Sequence, residues 1–243
     1  MRIITLLAVL PLTACSFHSD AAPPGAAASG SGTTRSFTVG DFTGVSLRGS
    51  DDVDVRVGTG FSVRAEGPSA ELDKLEIVRV GDTLRIGRKN RSGFSWGGGD
   101  RDGVKVFVTM PRIVAADIAG SGNMAVDRVE GQSFDGSSAG SGNLAIAVLS
   151  VPRAKLSIAG SGDIAAKGNV DRLTVDVAGS GNVAASGLTA RGASVSIAGS
   201  GDVRADVTGA ADVSMVGSGN VDLGKHAQCK TSKIGSGEVH CGG

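Results

Sequence analysis

The side chains best placed to do chemistry are Asp51, Asp52 and Asp54, with Arg48 and Arg56 close by. Acids grouped in this way can serve as general acid and base on a glycosidic bond, with arginine beside the charge that develops. The same residues alternate with Val53 and Val55, which also describes a solvated corner running into a strand. A second group is Phe94 and Trp96, followed by Gly97, Gly98 and Gly99 and then Asp100 and Arg101. An indole in a glycine-rich loop can stack on a sugar ring, which suits binding more than catalysis. It can equally cap the end of a hydrophobic core. A third group is a series of amides and acids: Asn123, Asn143, Asp163, Asn182, Asp202, Asn220 and Glu238. Their oxygens could line a cation path or bond to one another. His226 and His240 have no companions at ligand spacing. No Ser/His/Asp or Cys/His arrangement has usable spacing, and the glycine-rich corners open no helix that could receive a phosphate. No catalytic residue, metal or cofactor is therefore expected.

The elements that must position these residues come from a repeat. Ala119-Gly120-Ser121-Gly122-Asn123 recurs at Ala139, Ala159, Ala178 and Ala198, with looser copies at Val216 and Ile234. First glycines fall at 120, 140, 160, 179, 199, 217 and 235, so the period is 18 to 20 residues. Counting from the first glycine, position −2 holds Ile118, Ile158, Val177, Ile197 and Met215, with Ser138 and Lys233 as exceptions. Position +4 holds Met124, Leu144, Ile164, Val183, Val203, Val221 and Val239. Positions −4 and +6 are also apolar, and the residues between are small or polar. Each repeat thus reads as strand, glycine corner, strand, with alternate residues facing one core. With no helical run inside a repeat, the economical architecture is an all-β parallel β-helix with about 18–20 residues per coil, coils stacking about 4.8 Å apart.

Stacked in register, the seven residues from Asn123 to Glu238 form one column. Amides in such a column share hydrogen bonds along the stack, whereas neighbouring like charges repel. From residue 143 onward an Asn separates each acid from the next. That alternation fits a structural ladder. One carboxylate per two coils is a poor site for a hard cation.

Residues 37–111 are less regular. Phe42–Leu47, Val53–Val57 and Phe61–Ala65 alternate as strands, and Gly49-Ser50-Asp51 resembles a degenerate first corner. One short helix is expected near residues 69–75, opened by Pro68 or Ser69. Leu75–Val80 and Thr83–Arg88 read as a hairpin across Gly81-Asp82. Val104–Met110 is a further strand.

Formal charge balances at 24 basic against 24 acidic side chains, with no basic patch to meet nucleic acid. At the start, Arg2 precedes an apolar run, Ile3 to Leu10, too short to span a bilayer as a helix. It ends in Leu12-Thr13-Ala14-Cys15, which resembles a bacterial lipobox. Residues 1–14 then read as a lipoprotein signal peptide and Cys15 as the lipidated residue, anchoring the protein in a membrane leaflet. Ser16 is not the Asp of an inner-membrane retention signal, which favours an outer-membrane location. Residues 15–36 read as a flexible tether, and 37–243 as a single β-helix domain, regular from 112 onward. Export meets an oxidising compartment, so Cys229 and Cys241 are expected to form a disulfide. They lie at −6 and +6 of the last corner and would staple the terminal coil.

Two stretches together resemble a known family. One runs from Phe42-Thr43-Gly44-Val45-Ser46-Leu47 through Asp51-Asp52-Val53-Asp54-Val55 to Leu72-Asp73-Lys74-Leu75 and Gly81-Asp82-Thr83-Leu84-Arg85-Ile86. The other is the run of Gly-Ser-Gly-Asn/Asp corners after Lys105–Pro111. They are similar to the putative auto-transporter adhesin head domain, or head GIN domain, over about residues 40–240. The resemblance implies a right-handed β-helix on secreted or lipid-anchored envelope proteins. It carries no established catalytic residues. The expected role is non-catalytic: structural, adhesive or binding, with glycans, envelope proteins or a second copy as partners. The alternative is a carbohydrate-active enzyme, a lyase or hydrolase, with a site near 51–56 and 96–102.

Overall fold

The computed structural model describes residues 25–89 and 103–242. It is a β-solenoid of about six turns with a single short helix. In chain order the strands of its first part are β1 (Ala27–Ser29), β2 (Thr34–Thr38), β3 (Gly44–Gly49), β4 (Asp52–Val57) and β5 (Ser62–Glu66). The helix α1 (Ser69–Leu72) precedes β6 (Leu75–Val80), β7 (Thr83–Arg88) and β8 (Lys105–Met110). The coils continue with β9 (Ala115–Gly120), β10 (Met124–Val126), β11 (Val129–Glu130) and β12 (Ser133–Gly140). Long strands follow: β13 (Leu144–Gly160), β14 (Ile164–Gly179) and β15 (Val183–Gly199). The last are β16 (Val203–Val207), β17 (Ala210–Gly217), β18 (Val221–Asp222), β19 (Gln228–Ile234) and β20 (Val239–His240).

Alternation drives the coil. Leu156, Ile158, Ile164 and Ala166 are buried in one turn, and Val175, Val177, Val183 and Ala185 in the next. Equivalent residues pair in parallel: Met124 with Leu144, Leu144 with Ile164, Ile164 with Val183, and Val183 with Val203. The side-chain period of two would expose the whole core if this register slipped by one. β13, β14 and β15 each run from one glycine corner to the next. Their pairings shift register once per coil, as between Ile146 and Leu149, and such irregularities bend the ribbon around the core. Where the pattern fails locally, volume is exchanged. Gly136 takes a core position beside Phe134, whose ring would lie 3.0 Å from a Cβ there. The buried hydroxyl of Ser138 donates to the Gly142 carbonyl at 2.6 Å.

The coils are not laid down in chain order. β3 and β4 form the first coil. β9 and β10 stack on one side of it, Val45 against Ala116 and Val53 against Met124. β7 and β8 stack on the other side, Val45 against Leu84 and Val53 against Val106. The segment between β4 and β9 therefore folds back beneath the first coil as a cap. Antiparallel strands complete it: β6 on β7, β5 on β8, β2 on β5 and β1 on β2. The Ala26 N–H donates to the Ile77 carbonyl at 2.7 Å and joins the free edges of this cap. Edge closure of this kind blocks pairing with other chains.

Two expectations change here. The tether expected over 15–36 is shorter among the described residues, because Ala27–Ser29 and Thr34–Thr38 are strands. β2 finds its partner in β5, and Phe37 is buried against the cap core. The helix expected over 69–75 stops at Leu72, since Leu75 is a buried strand residue of β6. Among the described residues no helix is long and apolar enough to cross a membrane.

Candidate functional site

The repeated corner is built for stacking. Gly160 has φ of +134°, and a Cβ there would sit 2.3 Å from the Gly140 carbonyl oxygen. A Cβ on Gly162 would lie 2.0 Å from the Gly142 oxygen, although its φ is ordinary. The first glycine is thus required for both backbone angle and close approach, the second for approach alone. Ser161 N and Gly162 N both donate to the Gly140 carbonyl, at 2.8 and 3.1 Å, so each corner interlocks with the one below.

The residue after each corner forms a directional ladder. Its oxygen accepts from the backbone N–H of the next coil: Asp163 N to Asn143 at 2.9 Å, Asn182 N to Asp163 at 2.8 Å, Asp202 N to Asn182 at 2.9 Å, and Glu238 N to Asn220 at 3.1 Å. Where an Asn follows an Asp, its amide donates as well: Asn182 Nδ2 to Asp163 at 2.9 Å and Asn220 Nδ2 to Asp202 at 3.1 Å. Asn143 Nδ2 reaches Asn123 Oδ1 at 2.9 Å. The ladder starts one coil earlier than the regular repeats. Asn123 donates through N and Nδ2 to Asp52 Oδ1, at 3.1 and 3.0 Å. Asp52 is therefore its foot.

Asp51 is not solvated, as a first corner would lead one to expect: it is 1% exposed. It occupies the place held by the second glycine in every later corner. A side chain is tolerated because only the cap lies beneath it. Arg88 donates Nε to Asp51 Oδ2 at 2.8 Å, and its Nη2 pairs with Oδ1. The Val104 N–H reaches Oδ1 at 3.4 Å. One buried carboxylate thus ties the end of β7 to the approach to β8. Arg88 also donates to Glu71 of α1 at 2.6 Å. Hydrogen bonds from Lys74 and then Arg88 hold the Glu71 carboxyl below its usual range. The Asp51 carboxylate holds Arg88 firmly protonated. The gap in the glycine pattern at residue 51 is visible in the sequence, but its partners are not. Phe94, Trp96 and Cys15 lie outside the described residues.

Asp54 and Arg56 point outward on the next side and pair at 3.4 Å. They form the foot of a groove of about 700 Å³ running along the solenoid. In register above Asp54 stand Ala125, Ala145, Ala165 and Ala184, followed by Arg204. Asp127, Ala147 and Lys167 form one wall. The Asp127 carboxylate accepts from Val57 N at 2.9 Å. The stem of Lys167 lies across Gly187, where a Cβ would come within 3.0 Å of its Cγ. The alanine row recurs at the coil period, yet only the bend beside it makes it a groove. On the opposite side of the corner, Asp135 lies near Asp117 and Asp176; desolvation foremost, against the pull of Lys155, raises its carboxyl above the usual range.

At the far end Cys229 and Cys241 are joined by a disulfide, their Cα atoms 6.0 Å apart. Lys233 donates to the Gly237 carbonyl at 2.7 Å, and Ile234 is 71% exposed. The terminal coil replaces apolar inward residues with Thr231, Lys233 and the sulfur bridge, as a capping repeat does.

A family model described as putative auto-transporter adhesin, head GIN domain, matches residues 41–227. A putative adhesin from Bacteroides fragilis has a crystal structure similar to this one, with a TM-score of 0.76 at 21% identity over 86% of this chain and 95% of that one. A putative lipid binding protein from Parabacteroides distasonis gives 0.67 at 24% identity, over 86% and 95%. A putative adhesin from Parabacteroides merdae gives 0.66 at 17%, over the same shares. These likenesses show the shared fold. No curated protein matches the chain.

Proposed function

The chain belongs to the putative auto-transporter adhesin, head GIN domain family, and from that premise we propose that it is a non-catalytic binding module of the bacterial envelope, held to a membrane by a lipid on Cys15. The observation that carries the reading is the fate of the three acids best suited to catalysis. Asp51 is buried under Arg88, Asp52 is the foot of the ladder, and Asp54 pairs with Arg56. Two of the three are thus engaged by architecture, and Asp54 lies beside the exposed Arg56 at the foot of the groove. The long groove is open to a ligand. The names of its structural neighbours, two adhesins and one lipid binding protein, support binding over turnover.

The lipobox-like Leu12-Thr13-Ala14-Cys15 supports the anchor, and Ser16 favours the outer membrane.

Two measurements test this. Cys15→Ser is expected to move the protein from the membrane fraction to the soluble one; unchanged membrane association would refute the anchor. The soluble variant is expected to bind envelope glycans, envelope proteins or lipids saturably without turnover. Cleavage of a polysaccharide that vanishes in Asp54→Asn would replace this reading with that of a carbohydrate-active enzyme.

A further inference from the structure

The stretches that precede six successive corners, in β12, β13, β14, β15, β17 and β19, lie side by side in one sheet face. Its outward residues stand in columns, one strand spacing from coil to coil. Five residues before each first glycine the column reads Asp135, Lys155, Thr174, Ser194, Asp212 and Lys230. Taken from the other end it reads Lys, Asp, Ser, Thr, Lys and Asp. Laid antiparallel on a second copy of itself, this column sets every charge against its opposite. Asp135 faces Lys230 of the second copy, Lys155 faces Asp212, and Thr174 faces Ser194. Lys155 also holds Asp176 of its own chain at 3.4 Å, in a pair that is about half exposed on both sides.

The two-fold axis of this match runs along the strands, midway between β14 and β15, and it fits the other columns as well. One residue before each glycine stand Ala139, Ala159, Ala178, Ala198, Val216 and Ile234. Ile234, 71% exposed, falls on Ala139 of the second copy, and Val216, 54% exposed, falls on Ala159. Seven residues before the glycine, Arg153 falls on Ala210 and Arg172 on Gly192. In the remaining column Asp176 falls on Ser196. Bulky side chains thus meet small ones, and in no column do like charges face each other. Moving the axis by half a coil sets Asp135 against Asp212 in one direction and Lys155 against Lys230 in the other. A two-fold axis along the rod pairs none of these charges.

The face is five strand spacings high, about 24 Å, and six residues wide, about 20 Å. With a margin of one side chain it covers roughly 700 Å² on each copy, or about 1,400 Å² together, within the range of stable interfaces. Strands of the two sheets run in the same direction, which is the aligned kind of sheet packing. We infer that this face joins two copies of the chain in an antiparallel, two-fold dimer. It lies across the corner from the groove and does not depend on what the groove binds.

Sedimentation of the purified full chain is expected to show a monomer–dimer equilibrium that weakens with added salt. Lys155→Glu and Asp212→Lys each bring like charges together at two symmetry-related places, so each should weaken the dimer at least about tenfold. Mixed one to one, the two variants should associate about as tightly as the original chain. The exchanged charges then face each other at one place and the native charges at the other. Such recovery separates a contact across the interface from a fold weakened by either substitution. Ala159→Gln, at an exposed position, should weaken the dimer at least about tenfold with an unchanged melting curve, whereas Ala145→Gln on the groove side should leave it as it was. A chain still monomeric at about 100 μM would overturn the inference. So would association that survives Lys155→Glu, no recovery on mixing, or full association in Ala159→Gln. If the chain stays monomeric and Ala159→Gln abolishes saturable binding of an envelope glycan or protein, the face belongs to that partner and the dimer is refuted. Dimerisation without any saturable ligand would leave the dimer standing and remove the binding role proposed above. Loss of the dimer alone leaves that role intact.

Discussion

Asp51→Asn is the most informative single perturbation of the cap. The side chain keeps its volume and loses its charge. Arg88, a quarter exposed at 26%, then has, among the described residues, only Glu71 as a carboxylate partner. Breaking a fully buried pair from one side costs about 3–5 kcal/mol. Partial access of Arg88 to water and its second acid reduce this to about 2 kcal/mol. For a domain of this size that lowers Tm by roughly 4–8 °C. The loss should be local, because stacked repeats unfold in units. Hydrogen exchange in β7, β8 and α1 should quicken, while β14 and β15 stay protected. The double variant Asp51→Asn/Arg88→Met should lose less than the sum of the singles, since neither then leaves a buried charge alone. Acid should act in the same direction. The Glu71 carboxyl titrates lower folded than unfolded, so its contribution is present above the ordinary value of 4.5 and is lost as pH falls through the folded value. A Tm within about 1 °C of the unaltered protein, with exchange in β7 and β8 unchanged, would refute the claim that Asp51 ties down the cap.

The corner makes a paired prediction. Gly160→Ala should cost roughly 3 kcal/mol or more, because its Cβ would fall 2.3 Å from the Gly140 carbonyl. Gly131→Ala, with similar φ but open space around it, should cost only about 1–2 kcal/mol, as denaturant titration can show. In the ladder, Asn182→Asp removes the hydrogen bond of 2.9 Å that the Asn182 amide donates to Asp163 and places carboxylates in three successive coils. It should destabilise by about 1–2 kcal/mol at low salt, and by less at high salt, whereas Asp202→Asn should be milder. Replacing both Cys229 and Cys241 by serine should cost about 2–3 kcal/mol. Exchange should quicken in β19 and β20 first, with the inner coils unaffected.

What the residues alone determined is the part of the molecule whose contacts follow the repeat. Each coil touches the next copy of itself, so a period of 18 to 20 residues already encodes the register, the inward positions and the column from Asn123 to Glu238. The glycine corner was legible because two constraints, backbone angle and carbonyl approach, fall on the same short motif. Asp51 departed from that motif, but its partner Arg88 lies 37 residues away with no period to point to it. The cap likewise escaped a linear reading. Its strands pair antiparallel, and the segment between β4 and β9 returns beneath the first coil instead of following it. The alanine row is periodic in the sequence, yet it became a groove only where the coil bends beside it and Gly187 lets Lys167 lie along the wall. Local pattern decides which face of each strand is buried. Which surfaces end up facing one another, and so what a ligand can reach, is decided by long-range closure that the repeat does not contain.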